Sequence, residues 1–467
     1  MAVITKSHIS NFTNFLNVVS FLSLLIQNNI ILFYFIKEIF IREHTLNIYF
    51  VTFGCKVNAG EDQYYLSQLI EQGFKEAASI HDADIVVINT CAVTETAAKK
   101  SAHYIEKLRK ENKDLKIIVT GCLTEEKGIS LKEYGADIVV TNGSKSQLVN
   151  HILNLTDGYI KASDGSFAGG ALLSHTSTKT RAFYKIQDGC DAYCTYCIIP
   201  ELRGKPKSMP KDEVISGFKK LLSLGYKEIV LVGIHIGLYG KDLGINITDI
   251  LEELVKIEGD FRIRLTSIEI NEIDDRLLYL IKNNKKICPH LHIPLQSGCN
   301  KILSLMGRKY KKDDYIKLIE KARSIIPNIT IGSDIIAGFP SETDEDFNDT
   351  LKTLQSAGTE FYHAFPYSER KGTAAENMEN KVDVKVREER AALLRQQGFK
   401  SLMNLYNNSI GKIYRVLSEK GSKGHTENYM LIHYDKNTEP NKFVDVLVTE
   451  IKDNKLFGKV VENDILK

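Results

Sequence analysis

The feature that most constrains this chain is a regular alternation of apolar, β-rich runs with amphipathic segments of helix length, which begins at Asn47. This alternation is typical of α/β proteins in which βα units build an open parallel sheet. The first three runs read NIYFVTFGC, ADIVVINTC and LKIIVTGC, and each ends on a cysteine, namely Cys55, Cys91 and Cys122. Residues just past the carboxyl ends of parallel strands meet in one crevice. We therefore expect these three thiols to lie close together.

Each of these cysteines, taken alone, would be interpreted as a small buried apolar residue. Three of them at equivalent strand ends, each preceded by a glycine or a threonine, indicate a ligand-binding set instead. Three thiolates can bind zinc with an open fourth position, or an iron–sulfur cluster with one iron that lacks a protein ligand. The spacing alone does not decide between these two alternatives.

A second series of βα units follows a Gly/Ser/Thr-rich passage at residues 157–180, which we interpret as a linker. The strand candidates read RAFYKIQDGC, KEIVLVGIHIG, RIRLTSIEI, HLHIPLQSG, ITIGSDIIAGFP and EFYHAFPYS. Six such units predict a partial (β/α)6 barrel whose functional end lies where the strands terminate. Cys190, Cys194 and Cys197 lie on the loop after the first of these strands.

This loop reads GCDAYCTYCIIP, and its three cysteines indicate an iron–sulfur cluster. A closed zinc site needs four ligands, usually as two pairs, and no second pair with suitable spacing lies near the loop. Three cysteines suit a four-iron cluster in which one iron stays free for a small molecule. The C-x-x-x-C-x-(aromatic)-C spacing, with Tyr196 as the aromatic residue, resembles that of the radical S-adenosylmethionine enzymes. The resemblance implies that the free iron binds S-adenosylmethionine, whose reductive cleavage gives a 5′-deoxyadenosyl radical.

The same resemblance implies that other strand ends of the barrel contact the cofactor. The residues in matching places are Tyr196, Gly233, Gln296, Ser297, Ile336 and Gly338. Glu269 would face the amino group of the cofactor, or else pair with Arg262 or Arg264, because an interior carboxylate needs a partner. His290 and His292 share one face of a strand, and we assign them to core packing or internal hydrogen bonding.

The chain changes character after residue 400, where short strand candidates with polar turns replace the βα units. They read GKIYRVLSEK, ENYMLIHYD, KFVDVLVTEIK and KLFGKVVEN, and they predict a small all-β barrel. Such barrels commonly bind nucleic acid. Positive and negative charges nearly balance in this region, so an RNA contact would depend on a local group of side chains. The candidates are Lys412, Arg415, Lys420, Lys423, Tyr414, Tyr429 and Tyr434.

Residues 1–45 form an apolar extension that differs from the rest of the chain. Residues 15–36 carry no charge and are long enough to cross a bilayer as a helix, although six polar residues interrupt them. The segment is either a membrane tether or the product of a start codon assigned too far upstream, and we favour the second interpretation. The eight cysteines of the 467 residues fit metal binding in a reducing cytoplasm better than a disulfide scaffold.

The domain order and several motifs together resemble the radical S-adenosylmethionine methylthiotransferase family. These motifs are FGCKVN, INTCAVT, VTGC, GCDAYCTYCIIP, HLHIPLQSG, DIIAGFP and FPYSERKGTAA. The resemblance implies an amino-terminal Rossmann-like domain at residues 46–156, a radical S-adenosylmethionine domain at 181–400 and a TRAM-type barrel at 401–467. It also implies that the three strand-end cysteines of the first domain hold an auxiliary [4Fe–4S] cluster, which carries the sulfur to be transferred.

Within this family, GCKVN and FPYSERKGT are most similar to the branch that acts on N6-threonylcarbamoyladenosine at position 37 of tRNA. The resemblance implies conversion of this nucleoside, in the anticodon stem-loop, to its 2-methylthio derivative. A flavodoxin or ferredoxin would supply the electrons, and no stable protein partner is expected. The alternatives within the family are isopentenyladenosine in tRNA and an aspartate of a ribosomal protein.

Two other classes of protein fit the sequence less well. A cobalamin-dependent radical methyltransferase also places an α/β domain before the barrel, but it would need a D-x-H-x-x-G motif. None of the twelve histidines follows an aspartate by two residues. A non-enzymatic RNA-binding protein would explain the last domain but not two sets of three cysteines, each with an open coordination position. We therefore expect an enzyme.

Overall fold

The structure is a computed structural model that describes residues 46–126, 130–155 and 180–461. The apolar segment at residues 15–36 lies outside the described residues, and so does nearly all of the predicted linker. No helix in the described ranges is both long enough and apolar enough to cross a membrane. The two interpretations of the amino-terminal extension therefore remain predictions.

The first domain is a five-stranded parallel sheet with helices on both faces. Its strands are β1 (Asn47–Thr52), β2 (Lys75–Glu76), β3 (Ile85–Thr90), β4 (Lys116–Gly121) and β5 (Ile138–Val139), and its helices are α1 (Lys56–Glu71), α2 (Glu95–Glu111) and α3 (Leu148–Asn154). The strand order is β2-β1-β3-β4-β5, so the order reverses between β1 and β3. Ligands of doubly wound sheets bind at this switch point. Cys55 and Cys91 follow the two strands that flank it.

Helix α1 begins earlier than the sequence predicts. Apolar periodicity indicates a helix only from residue 63, whereas the structure begins it at Lys56. The reason is that the inward face of the first two turns is polar: Asn58, Glu61 and Asp62 are all buried. A buried face that carries polar residues gives no amphipathic signal. Helix α2 begins after Thr94, whose side chain accepts a hydrogen bond from the Ala97 N–H group.

The central domain contains six parallel strands in the order β6-β9-β10-β11-β12-β13, and it confirms the predicted partial barrel. These strands are β6 (Arg181–Lys185), β9 (Glu228–Val232), β10 (Arg262–Leu265), β11 (His290–His292), β12 (Thr330–Ala337) and β13 (Phe361–Pro366). A short antiparallel pair, β7 (Gln187–Asp188) and β8 (Lys207–Ser208), follows the first strand. The helices are α4 (Ile199–Arg203), α5 (Lys211–Ser223), α6 (Ile247–Lys256), α7 (Asp275–Asn283), α8 (Asn300–Leu305), α9 (Lys312–Ile325) and α10 (Asp344–Ala357). Strands β6 and β13 are the open edges, and α1 of the first domain packs against β6.

The last domain is a closed five-stranded barrel, as the sequence predicts. Its strands are β14 (Ile413–Glu419), β15 (Lys423–Thr426), β16 (Leu431–Tyr434), β17 (Phe443–Lys452) and β18 (Lys455–Val460). A long helix, α11 (Val384–Asn407), leads into it and packs against β13. This helix runs through the predicted boundary at residue 400, so the barrel strands begin only at Ile413.

The carboxyl-terminal barrel packs against the amino-terminal ends of the central strands through two buried arginines. Arg262 donates hydrogen bonds to the backbone carbonyls of residues 415 and 425, and Arg264 donates to those of residues 426 and 427. Both guanidinium groups also bind Glu228, with Nε–Oε distances of 2.6 Å for Arg262 and 2.9 Å for Arg264. Burial opposes ionisation of Glu228, but the two arginines hold its pKa well below the ordinary value.

We predict that Glu228→Ala lowers the free energy of unfolding by about 3–5 kcal/mol, because it leaves two buried guanidinium groups without their carboxylate. Differential scanning calorimetry of the full chain measures the effect. The control is Glu253→Ala, which removes an exposed pair with Lys211 and should leave the transition nearly unchanged. Equal unfolding temperatures for the two variants would contradict this account of the interface.

Candidate functional site

The structure brings together the three cysteines of the first domain. Cys55 precedes α1, Cys91 follows β3 and Cys122 follows β4. Gly54 lies between them: its φ is +95°, and a Cβ atom there would lie 2.9 Å from the sulfur of Cys91. Burial raises the pKa of the Cys91 thiol to about 11, and the nearby thiols of Cys122 and Cys55 act in the same direction. We call these three residues the first cysteine set.

The second cysteine set consists of Cys190, Cys194 and Cys197, which lie on the loop after β7. The loop turns sharply at Gly189, where φ is +71° and a Cβ atom would lie 2.1 Å from the carbonyl oxygen of residue 205. Thr195 fixes the middle of the loop, because its N–H and hydroxyl groups donate to the carbonyls of residues 306 and 305. Burial raises the pKa of the Cys197 thiol to about 12. A bound cation is therefore needed to keep this thiol ionised near neutral pH.

The chemistry of the donors fits an iron–sulfur cluster in each set. Each set offers three cysteine sulfurs. In a four-iron cluster each thiolate would bind a different iron, and one iron would lack a protein ligand. Three thiolates could also bind one zinc ion with an open fourth position.

Positively charged side chains contact the sulfurs of the second cysteine set. Arg308 Nη1 donates a hydrogen bond of 3.2 Å to Cys194 Sγ, and His235 Nδ1 lies 3.4 Å from Cys190 Sγ. The other ring nitrogen of His235 lies 2.7 Å from Glu272 Oε1. Burial lowers the pKa of His235, but the contacts with Cys190 and Glu272 outweigh it and raise this pKa to about 10. These groups favour thiolate ligands over neutral thiols.

The partner of Glu269 is Arg308, and the predicted pairing with Arg262 or Arg264 is wrong. Glu269 Oε2 accepts a hydrogen bond from Arg308 Nη2, whereas the other two arginines bind Glu228 at the opposite end of the strands. Arg308 lies after α8 in the sequence MGRKY, which carries no recognisable motif. The pair lines a cavity of about 240 Å³ next to the second cysteine set. A cavity with charges of both signs can bind a zwitterion such as an amino acid.

One buried side chain links the two cysteine sets. Arg203 ends α4, the helix that directly follows the second set, and its side chain is only 2% exposed. Its Nε donates a hydrogen bond of 3.4 Å to Cys122 Sγ of the first set. Its two terminal nitrogens donate to Glu61 Oε1 at 3.0 Å and to Asn58 Oδ1 at 2.8 Å, both on α1. The loop of the second set is thereby fixed against the ligands of the first.

Arg203 belongs to a larger network of buried charges. Glu61 is 0% exposed; it accepts a hydrogen bond of 2.7 Å from Lys185 and a second from Lys145. Asp188 pairs with both Lys185 and Arg203. Burial opposes ionisation of Glu61, but Arg203 and the two lysines hold its pKa well below the ordinary value. Asp62, which is also buried, joins this network through Asn89, which donates to its carboxylate and accepts a hydrogen bond from Lys145.

Two family descriptions match this chain. Residues 184–354 match the Radical SAM superfamily, and residues 47–143 match Uncharacterized protein family UPF0004. The threonylcarbamoyladenosine tRNA methylthiotransferase MtaB of Rickettsia prowazekii is 38% identical over 407 residues, which cover 85% of this chain and 94% of the relative. The MtaB protein of Thermotoga maritima is 35% identical over 409 residues, which cover 86% and 94%. The chain belongs to the radical S-adenosylmethionine methylthiotransferase family.

Relatives from another branch of the family are also similar over most of the chain, and a solved structure shares its fold. The tRNA-2-methylthio-N(6)-dimethylallyladenosine synthase of Thermoanaerobacter pseudethanolicus is 35% identical over 449 residues, which cover 91% of this chain and 95% of the relative. The radical S-adenosylmethionine methyltransferase TsrM of Kitasatospora setae shares the fold, with a TM-score of 0.51, 12% identity, and coverage of 68% of this chain and 74% of TsrM. The protein is thus a radical S-adenosylmethionine methylthiotransferase, which uses S-adenosylmethionine and a [4Fe–4S] cluster.

Of the residues predicted to contact the cofactor in the methylthiotransferase, Tyr196 lies within the second cysteine set, Ile336 packs with it, and Gly338 follows Ile336 by two residues. Tyr196 and Ile336 belong to one apolar cluster, in which the Tyr196 ring contacts Phe339 edge-on with centroids 6.3 Å apart. Gly338 has φ of +73°, and a Cβ atom there would lie 2.4 Å from Arg387 Cγ. Only glycine fits at position 338. Contact of these residues with the cofactor remains a prediction.

Three further predicted residues have structural roles in the methylthiotransferase. Ser297 is 0% exposed, and its hydroxyl lies 3.3 Å from the hydroxyl of Thr350. A Cβ atom at Gly233 would lie 2.7 Å from Gln187 Oε1, so a side chain there would displace the side chain of Gln187. Gln296 adopts a φ of +65°, which is unusual for a residue with a side chain. Contact of these three residues with the cofactor also remains a prediction.

The carboxyl-terminal barrel contains fewer candidates for RNA contacts than the sequence indicates. Tyr434 is only 5% exposed, and Tyr429 stacks on His290 of the central domain with ring centroids 4.7 Å apart. Arg415 pairs with Asp260, also of the central domain. The predicted cations that have no described ion pair are Lys412, Lys420 and Lys423.

We predict that Arg203→Met lowers both the free energy of unfolding and the iron content of the methylthiotransferase. The substitution removes a buried cation from Glu61 and Asp188, which should cost about 3–5 kcal/mol. Calorimetry and iron analysis of the purified protein measure the two effects. Arg203→Lys should give intermediate values of both quantities. Its ammonium group keeps the charge but cannot reproduce the geometry of the hydrogen bonds that the planar guanidinium group makes.

The control for Arg203→Met is Arg276→Met, which removes an exposed cation from Glu252 and Asp249. It should leave both measurements near those of the unaltered protein. If Arg203→Met behaved in the same way as this control, Arg203 would not link the two sets.

Proposed function

We propose that this methylthiotransferase converts N6-threonylcarbamoyladenosine at position 37 of tRNA to its 2-methylthio derivative. The observation that carries the proposal is the hydrogen bond to Cys122 of the first set from Arg203, which ends the helix that directly follows the second set. Transfer of a sulfur group by radical chemistry requires the radical source and the sulfur source to reach the same substrate atom. Two sets of cluster ligands joined by one side chain meet this requirement.

In this proposal each cysteine set holds one [4Fe–4S] cluster. Cys190, Cys194 and Cys197 hold the cluster that binds S-adenosylmethionine, and Cys55, Cys91 and Cys122 hold an auxiliary cluster. When bound, these groups supply a 5′-deoxyadenosyl radical and the sulfur for the product. A flavodoxin or ferredoxin supplies electrons, and the anticodon stem-loop of tRNA presents the adenosine.

The side chains around the sets bind and orient the reactants. Glu269 and Arg308 provide opposite charges for the amino and carboxylate groups of S-adenosylmethionine, next to Cys194. The apolar cluster around Tyr196 and Ile336 accommodates the adenine ring of the cofactor. His235 and Arg308 donate to ligand sulfurs, which stabilises the negative charge of a cluster.

The proposed domain roles follow the predicted boundaries. Residues 46–156 form the auxiliary-cluster domain, residues 181–400 form the radical domain and residues 401–467 form the TRAM-type barrel. Relatives named for threonylcarbamoyladenosine support the choice of substrate at 38% and 35% identity. A relative named for dimethylallyladenosine is also 35% identical, so identity alone does not separate the two substrates.

We predict that tRNA from cells without this gene lacks 2-methylthio-threonylcarbamoyladenosine and accumulates the parent nucleoside. Mass spectrometry of tRNA nucleosides, with and without the gene, measures both compounds. Restoring the gene should restore the product. Loss of the isopentenyl counterpart instead would contradict the proposed substrate but leave the family unchanged.

We also predict that a Cys55→Ala, Cys91→Ala, Cys122→Ala triple variant still cleaves S-adenosylmethionine but forms no methylthio product. Its iron content should fall by about four atoms per chain, which corresponds to one cluster. Chromatography of 5′-deoxyadenosine and mass spectrometry of the RNA product measure the two reactions. The matched control is Cys288→Ala, whose buried thiol lies beside Arg264 at the amino-terminal ends of the central strands. Methylthio product from the triple variant would refute the role of the first set.

A further inference from the structure

The six central strands enclose a lumen, and the alternation of side chains along β12 identifies its lining. Ile331 and Ile335 lie in the core between the strands and the surrounding helices. Asp334 and Ile336 therefore point to the opposite side, into the lumen. Near the second cysteine set, Ile336 packs with Tyr196. Asp334 lies two residues farther from that set, in the middle of the lumen.

Asp334 contacts two histidines of the neighbouring strands. Its Oδ1 atom lies 3.1 Å from His292 Nε2 and 3.2 Å from His363 Nδ1. The register of the sheet produces this contact, because His363 is directly opposite Asp334 and His292 is opposite Gly332. A Cβ atom at Gly332 would lie 2.8 Å from His292 Nδ1, so the glycine makes room for the ring. We call His292, Asp334 and His363 the His–Asp–His cluster.

The His–Asp–His cluster is open to the lumen. The side chain of His363 is 54% exposed and that of Asp334 is 29% exposed. Within the described ranges, neither His292 Nδ1 nor His363 Nε2 has a hydrogen-bond partner. Histidines that bind a metal usually donate their second ring nitrogen to a protein group. The cluster lacks such supporting groups, so its arrangement favours hydrogen bonding to a ligand over binding of a metal ion.

A lysine reaches the aromatic residues that neighbour the His–Asp–His cluster. Lys56, at the start of α1, has its Nζ atom 5.5 Å from the centre of the Tyr429 ring. That ring contacts Phe361 edge-on at 5.8 Å, and Phe361 shares one face of β13 with His363. No carboxylate of the described residues lies within ion-pair distance of Lys56. Lys56 therefore presents a positive charge to whatever enters the lumen. Asp334 accepts the N–H group of each histidine ring, so the free ring nitrogens of His292 and His363 present hydrogen-bond acceptors.

We propose that Lys56 binds the carboxylate of the N6 substituent of the substrate adenosine, while the free ring nitrogens of His363 and His292 accept hydrogen bonds from its hydroxyl and amide N–H groups. This inference rests on the proposed function. A threonylcarbamoyl group carries a carboxylate, a hydroxyl and amide N–H groups, whereas an isopentenyl group carries no polar atom. Desolvation of charged side chains by an apolar group is unfavourable. A site built to hydrogen-bond its ligand rejects an analogue that lacks the bonding groups. The lumen therefore selects the acidic substituent.

The test compares two synthetic anticodon stem-loops, one with threonylcarbamoyladenosine and one with isopentenyladenosine. The full-length, cluster-loaded enzyme is assayed for KM and kcat, and fluorescence anisotropy measures the Kd of each RNA. We expect His363→Phe to raise KM and Kd for the first RNA roughly fivefold, since one hydrogen bond between neutral groups is lost. Cleavage of S-adenosylmethionine and iron content should stay unchanged. His363→Gln, which keeps an acceptor, should weaken binding less.

A second variant and a control make the test independent of folding defects at β13. Lys56→Met should also weaken binding of the threonylcarbamoyl RNA, with iron content checked because Cys55 is adjacent. His103→Phe is the matched control, because His103 is 79% exposed on α2. It should change neither KM nor Kd.

The outcomes separate this inference from the proposed function. Unaltered enzyme that acts on neither RNA, or only on the isopentenyl RNA, would refute the proposed function. Activity on the threonylcarbamoyl RNA with equal KM and Kd for His363→Phe, Lys56→Met and unaltered enzyme would refute the inference alone. A stoichiometric divalent ion that is lost in His363→Phe would assign the His–Asp–His cluster to a metal and also overturn it.

Discussion

The arrangement of the two cysteine sets depends on the buried carboxylate of Glu61. A carboxylate that is 0% exposed is strongly destabilising unless cations bind it. Lys145 comes from the first domain, but Lys185 and Arg203 come from the central domain. Helix α1 is therefore stable in its observed place only when the two domains are packed together. Because Arg203 also contacts Cys122, the same interaction sets the distance between the two candidate cluster sites.

The interface with the carboxyl-terminal barrel follows the same principle at the other end of the central strands. Glu228 is also 0% exposed, and Arg262 and Arg264 bind both this carboxylate and backbone carbonyls of the barrel. Hydrogen bonds of this kind require one relative orientation, whereas apolar packing tolerates several. We infer that the buried pairs fix the orientation of the three domains. A fixed orientation matters here because different domains would hold the substrate, the radical source and the sulfur source.

The sequence predicted those parts of the site that depend on local pattern. The strand-end position of Cys55, Cys91 and Cys122 follows from βα alternation, and the loop of the second set is recognisable from its spacing alone. Arg203 and Arg308 were missed because their partners are distant in sequence: Glu61 is 142 residues from Arg203, and Glu269 is 39 residues from Arg308. An arginine in ELRGK or MGRKY resembles an exposed helix-end cation, and only the tertiary structure buries it.

The two histidines of HLHIPLQSG show how two residues on one strand face acquire different chemistry. The assignment of both to packing or internal hydrogen bonding agrees with the structure, but their surroundings differ. His290 stacks on Tyr429, and burial together with Arg264 holds its pKa well below the ordinary value, so it is a neutral packing group. His292, one step closer to the cysteines, contacts Asp334 instead. Along the lumen toward the cysteines, the lining side chains are thus first aromatic, then charged at Asp334, and then apolar around Tyr196. This order separates a place for a polar substituent from the apolar surroundings of the reacting groups.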